Sequence, residues 1–115
     1  MAESETPVAN PWEIDSTDPK VAEGVRAALR EVVDPEIGLN VVELGLVREV
    51  RENEGEIQVK MILTTPFCPY GPALLEMTRV KAEQAAAKPA RIELGMEIWE
   101  PSFMEEGAGA AWGLY

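Results

Sequence analysis

The sequence predicts an α+β fold: a two-layer α/β sandwich in the order α-β-β-α-β, with a small three-stranded sheet and two helices on one face. Three observations predict it. Val21, Val25, Ala28, Leu29 and Val32 recur at helical spacing and form a single apolar stripe. Ile57, Val59, Met61 and Leu63 alternate with Glu56, Gln58 and Lys60, the pattern of a strand with one buried and one wet face. Ile92, Leu94, Met96 and Ile98 alternate again further on. A sheet with one wet face needs a single helical layer to cover the other.

Taken in order, residues 1–17 are polar, acidic and interrupted by proline, and are expected to form a mobile N-terminal arm. Trp12 and Ile14 are the exceptions, able to dock onto the domain or a partner. Asp18-Pro19 opens the first helix, because Asp is a good N-cap and Pro at the first helical position gives up only an orphan N–H. Asp34-Pro35 ends it, since a residue before Pro avoids the helical region. A loop over 36–44 leads to a strand over 46–51. Glu52-Asn53-Glu54-Gly55 has the composition of a hairpin turn, with Asn53 and Gly55 suited to positive φ. Gly45 marks a bulge or a close backbone approach.

After the second strand, residues 66–71 make a tight loop. A helix then runs over 72–87 with Leu74, Met77 and Val80 on its inner side, stopped by Lys88-Pro89. The third strand follows. Residues 18–100 thus form the domain. Residues 101–115 form a C-terminal extension whose Phe103, Met104, Trp112, Leu114 and Tyr115 make it too apolar for a free tail, so part of it is expected to pack on the domain. An open edge in so small a sheet invites self-association.

The 115 residues carry 10 Lys and Arg against 21 Asp and Glu, for a net charge of -11. Phosphate recognition needs clustered cations, so nucleic acid and anionic membrane surfaces are not expected partners. No apolar run approaches the roughly 20 residues of a membrane span. The start Met1-Ala2-Glu3-Ser4-Glu5 lacks the basic and apolar segments of a signal peptide, and a lone thiol suits a reducing compartment, so a cytoplasmic location is expected.

Chemistry converges on one atom. Cys68 is the only cysteine and the chain has no histidine. That excludes a Cys-His nucleophile, a Cys/His zinc site and an intrachain disulfide. Cys68 follows Thr64-Thr65-Pro66-Phe67 and stands between two prolines, just ahead of a helix start. The positive end of that helix would favour thiolate, the form that binds metal. Thr64 and Thr65 can donate hydroxyl hydrogen bonds to sulfur. Asp34, Glu36 and Glu43 make an acidic set around the end of the first helix, readable as a polar rim near the thiol, as a hard-cation site, or as ordinary loop and cap chemistry. A buried, inert Cys68 is the competing reading. A cluster needs about four ligands, so one cysteine per chain demands a partner.

Asp34-Pro35-Glu36, then Val41-Val42-Glu43-Leu44-Gly45-Leu46-Val47, then Thr64-Thr65-Pro66-Phe67-Cys68-Pro69, in this order and spacing, resemble the SufT/PaaD-like family, which includes eukaryotic proteins of cytosolic iron–sulfur assembly. The resemblance covers roughly residues 20–100, and Trp99-Glu100-Pro101 with Met104-Glu105-Glu106-Gly107 is similar, more loosely, to that family's C-terminal extension. It implies an iron–sulfur-assembly domain, often dimeric, acting as a cluster carrier or as an adaptor to target proteins. It implies Cys68 as the functional thiol and metal ligand, with Asp34, Glu36, Thr64 and Thr65 lining its pocket. The expected cargo is a transient iron–sulfur cluster shared between subunits or with a partner, and no other cofactor is expected. The expected partners are iron–sulfur assembly proteins, recipient apo-proteins and a second copy of the chain. Two positions depart from the family: Phe67 stands where Gly is common, and Glu43 where Asp is common. No catalysis is expected, since without His no general base near neutral pH is at hand. The alternatives are a PaaD-like accessory to a phenylacetate-pathway oxygenase, a thiol enzyme or redox sensor built on Cys68, and an interaction adaptor in which Cys68 is structural.

Overall fold

The computed structural model describes residues 11–64 and 69–105. Its elements are α1 (Glu13–Thr17), α2 (Pro19–Leu29), β1 (Val47–Asn53), β2 (Glu56–Met61), α3 (Gly71–Ala86), β3 (Ala90–Leu94) and a 3-10 turn (Pro101–Phe103). The sheet has the order β1-β2-β3. β1 and β2 are antiparallel, while β2 and β3 are parallel. A parallel neighbour requires a crossover, and α3 is that crossover.

The local causes are visible. Asp18 caps α2 by accepting from the Val21 N–H at 3.3 Å, with Pro19 at the first helical position. The hairpin turns on Glu54 and Gly55, at φ 53° and 81°, while Asn53 pairs with Glu56 inside the ladder. A two-residue turn whose twist matches the strands needs both central residues at positive φ, so Glu54 rather than Asn53 takes the left-handed position. β2 buries Ile57, Val59 and Met61 and half-exposes the residues between, as its alternation predicts. In β1 a bulge at Val47–Glu49 shifts the register, so that Val47 and Val50 both point inward.

Three expectations need correction. The first concerns the arm. Trp12 and Ile14, at 3% and 0% exposure, lie in the core, and residues 13–17 are helical. Trp12 donates its indole N–H to the Val47 carbonyl at 3.4 Å, Arg26 lies 3.9 Å over its ring, and Asp15 binds Arg26 through both carboxylate oxygens at 2.9 and 3.0 Å. The described end of the arm, residues 11–17, is therefore part of the packed body.

The second concerns α3. Its buried row is Gly71, Leu74, Thr78, Ala82 and Ala86, whereas Met77 is 45% exposed and Val80 only half-buried. Small residues on that row let α3 lie close against α2, β2 and β3. The Thr78 hydroxyl is buried there without a partner among the described residues.

The third concerns β3. It ends at Leu94, and the apolar residues that continue its alternation, Met96 and Ile98, are 93% and 88% exposed. β2 stops at Met61, whose carbonyl accepts the last cross-strand bond from the Gly95 N–H at 2.8 Å. Beyond that point no strand among the described residues remains to pair with. No helix among the described residues is long and apolar enough to cross a membrane.

Candidate functional site

β2 delivers the chain to the threonine and cysteine loop. After Met61, the Ile62 N–H donates to the Leu46 carbonyl at 2.8 Å, and Leu63 and Thr64 follow. Leu63 and the start of α3 lie close together: a Cβ on Gly71, the first residue of α3, would stand 2.8 Å from Leu63 Cδ1. Thus Leu63 and the start of α3 pin the two ends of the segment that carries the sulfur. Thr65 and Cys68 lie outside the described residues.

Thr64 lines a hollow of about 340 Å³ with Ile62, Leu63 and the run from Leu94 to Trp99. Trp99 forms one wall and is held by its indole N–H, which donates to the Leu44 carbonyl at 2.7 Å. Glu97 accepts from Arg48 at 3.4 Å at the rim.

Asp34 and Glu36 do not line this hollow. Asp34 is 1% exposed, and its carboxylate accepts the Glu36 N–H at 2.9 Å. Its carbonyl accepts from Ile37 and Gly38, and its N–H donates to Leu39. That is a side chain closing its own loop. Glu36 itself is exposed. Glu43 has the same character. Its carboxylate accepts the Asn40 N–H at 3.0 Å while the Asn40 side chain accepts from Val42 and Glu43, a reciprocal cap. Among the described residues no group of three or more His, Cys, Asp and Glu is placed to hold a metal ion.

The described start of the C-terminal extension, expected to pack on the domain, braces this region as a strap. The chain after Trp99 crosses the 41–45 turn, where the Glu105 N–H donates to the Glu43 carbonyl at 2.9 Å and Met104 is 5% exposed. Arg48 lies 3.9 Å over the Phe103 ring and donates to the Gly45 carbonyl at 3.1 Å. Arg30 grips Glu105 through two bonds at 2.9 and 2.8 Å. The Asn40-x-x-Glu43 spacing was the one available signal for the capped turn beneath the strap.

The Arg30 pair has a pH consequence. The hydrogen bond from Arg30 holds the Glu105 carboxyl below its usual range, with burial opposing, and the same bond raises Arg30. A carboxyl whose pKa is depressed by folding stabilises above its unfolded value, about 4.3 for Glu, and loses that contribution as pH falls through the folded value. Arg30 is largely exposed, so the effect is that of a surface pair, below about 1 kcal/mol. Urea midpoints followed downward from pH 6 are therefore expected to separate wild type from Glu105→Gln at pH 6 and to draw together as pH falls below the unfolded value and on through the folded one.

The chain matches the model of the family described as "Iron-sulfur cluster assembly protein" over residues 22–93. It is 38% identical over 89 residues to an Fe-S protein maturation auxiliary factor of Porphyromonas gingivalis, covering 75% of this chain and 85% of that one. It is 34% identical over 77 residues to the Fe-S protein maturation auxiliary factor SufT of Staphylococcus aureus, covering 65% and 84%. Its fold is similar to the crystal structure of a domain of unknown function, DUF59, from Bacillus anthracis, with a TM-score of 0.76 over 87% of this chain and 98% of that one. At 22% identity that last likeness speaks for the fold alone. The family match runs from within α2 into β3, well over half of the sequence, and the chain belongs to the iron–sulfur cluster assembly protein family.

Proposed function

We propose that this protein assists the maturation of iron–sulfur proteins by lending the Cys68 thiolate to a cluster in transit, the remaining ligands coming from a second protein. The observation that carries the reading is the ligand inventory. The chain has one cysteine and no histidine, and no metal-holding group of acids lies among the described residues. A cluster bound through about four protein ligands is therefore beyond one chain, and a shared, passing cluster is what one thiol can serve. Family membership supports an iron–sulfur cargo, and the resemblance of the Thr64–Pro69 motif supports Cys68 as the thiol.

Hand-over is ligand exchange at iron. A recipient thiolate forms its bond to iron as the Cys68 sulfur leaves, with no change in oxidation state. Thr64 and Thr65 would supply hydroxyl donors to a thiolate or sulfide. Asp34 would act from a distance, by fixing its loop, because its carboxylate is occupied by the Glu36 N–H. The partners are assembly proteins, recipient apo-proteins and, for a cluster held between copies, a second subunit.

Anaerobic reconstitution with ferrous iron and sulfide tests this. Wild type is expected to gain a visible charge-transfer band with no more than one cluster per two chains. Cys68→Ala is expected to retain at least about tenfold less iron and sulfide. Equal uptake by the variant would remove Cys68 from the role.

A further inference from the structure

We propose that the strip from Leu94 to Ile98 is a docking edge for an extended segment of a recipient protein in which bulky apolar side chains alternate with basic ones. This deepens the maturation reading by naming the chemistry that recognises the recipient. Leu94, Met96 and Ile98 are 58%, 93% and 88% exposed, yet they recur at the two-residue spacing that puts side chains on one side of an extended chain. Exposed apolar residues clustered in this way mark interaction sites, whereas scattered ones do not.

The backbone points the same way. β3 is an edge strand, and the chain continues past it without helix or strand up to the turn at Pro101. Among the described residues no hydrogen bond engages the backbone of Met96 or Ile98. Unpaired N–H and C=O groups beside an apolar hollow of about 340 Å³ are what strand addition uses. The ladder supplies affinity and the hollow selects a side chain.

Charge chooses the occupant. Glu93, Glu97 and Glu100 are exposed along the strip, Glu97 meeting Arg48 at 3.4 Å, against one exposed cation in β3, Arg91, so the strip is acidic on balance. The whole chain carries -11. A second copy would bring its own glutamates against these, and like charges opposite one another destabilise a strand pair. A segment with Lys or Arg between its apolar residues meets them favourably.

The test is a titration of the metal-free full chain, isotopically labelled, with an acetylated and amidated heptapeptide alternating lysine with valine and isoleucine. The expected result is that the amide resonances of Gly95, Met96 and Ile98 shift and become protected from exchange, and that binding weakens as salt is raised. The doubly substituted Met96→Ser, Ile98→Ser chain should bind on the order of tenfold more weakly, and Glu93→Gln, Glu97→Gln should lose most of the salt dependence. The Met96 and Ile98 side chains are almost wholly exposed, so the serine variant leaves the core intact. The proposal is overturned if the same peptide with glutamate for lysine binds equally well, or if the shifts map elsewhere. It is also overturned if wild type sediments as a dimer with these amides already protected and the serine variant as a monomer. Iron and sulfide are absent throughout, so failure here leaves the Cys68 reconstitution result untouched.

Discussion

Gly45→Ala is expected to lower the unfolding free energy by about 2–4 kcal/mol and to release the C-terminal strap. Gly45 sits at φ 73°, where a side chain is strained by about 1–2 kcal/mol. The heavier cost is spatial. A Cβ there would stand 2.0 Å from the Phe103 carbonyl oxygen, 2.6 Å from its carbonyl carbon and 2.9 Å from its Cβ. These are largely backbone atoms, which cannot rotate aside, so either the 41–45 turn or the strap must move. If the strap moves, Met104 loses its burial, Arg48 loses the Phe103 ring, and Glu105 loses both the Glu43 carbonyl and Arg30.

Urea unfolding checks this with two readouts. The midpoint should fall, and the slope should fall with it, because a native state with a free strap has less surface left to expose. Gly38→Ala separates the causes: it has a positive φ of 85° but open space around it, so it is expected to cost only the backbone strain. Equal midpoints and slopes for the two alanine variants would show that the close approach of Phe103 contributes nothing.

The two glycines also mark what the sequence could and could not announce. Local signals were readable because they act within one turn or one strand. Asp18-Pro19 caps α2, Lys88-Pro89 follows the end of α3, and the Ile57, Val59, Met61 alternation gives β2 its buried face. Gly45 was readable as a close approach, but the group approaching it, Phe103, lies 58 residues on, and nothing at 45 names it. Met77 and Thr78 show the same limit: hydropathy favours Met77 inside, but the close packing of α3 selects the smaller residue next to it. Leu94, Met96 and Ile98 read as a strand because alternation describes the side chains and says nothing of whether a neighbour exists to pair with. Of the candidate site, Thr64 is placed at an apolar hollow and Asp34 is placed as a loop brace. A carboxylate within two residues of the N–H it accepts always had that second use, and spacing alone does not separate the two.

A chain begun at Asp18 is expected to lose most of its folded population, although the family match does not begin until residue 22. The truncated chain keeps the Asp18 cap and all of α2, so helix initiation is not what it loses. It loses Trp12 and Ile14 from the core, at 3% and 0% exposure. Removing a buried Trp side chain costs about 3–5 kcal/mol and a buried Ile about 2–5 kcal/mol. The two are near neighbours, at the cap and in the first turn of α1, so their costs need not add. Even the larger one alone approaches the roughly 5 kcal/mol at the lower end of domain stabilities. Arg26 is left worse off than an ordinary surface cation, since it loses both the Trp12 face and the two Asp15 oxygens. Ile14→Ala in the full chain isolates the apolar part, with an expected loss of about 2–5 kcal/mol in urea unfolding followed by circular dichroism. Asp15→Asn isolates the ion pair, with an expected loss below about 1 kcal/mol. Should the truncated chain and Ile14→Ala both hold the wild-type midpoint, the segment is an ornament on the domain and the sequence expectation of a mobile arm stands. If both fall, the core of this domain begins seven residues before its first long helix, at Trp12, because the short α1 packs against both α2 and β1.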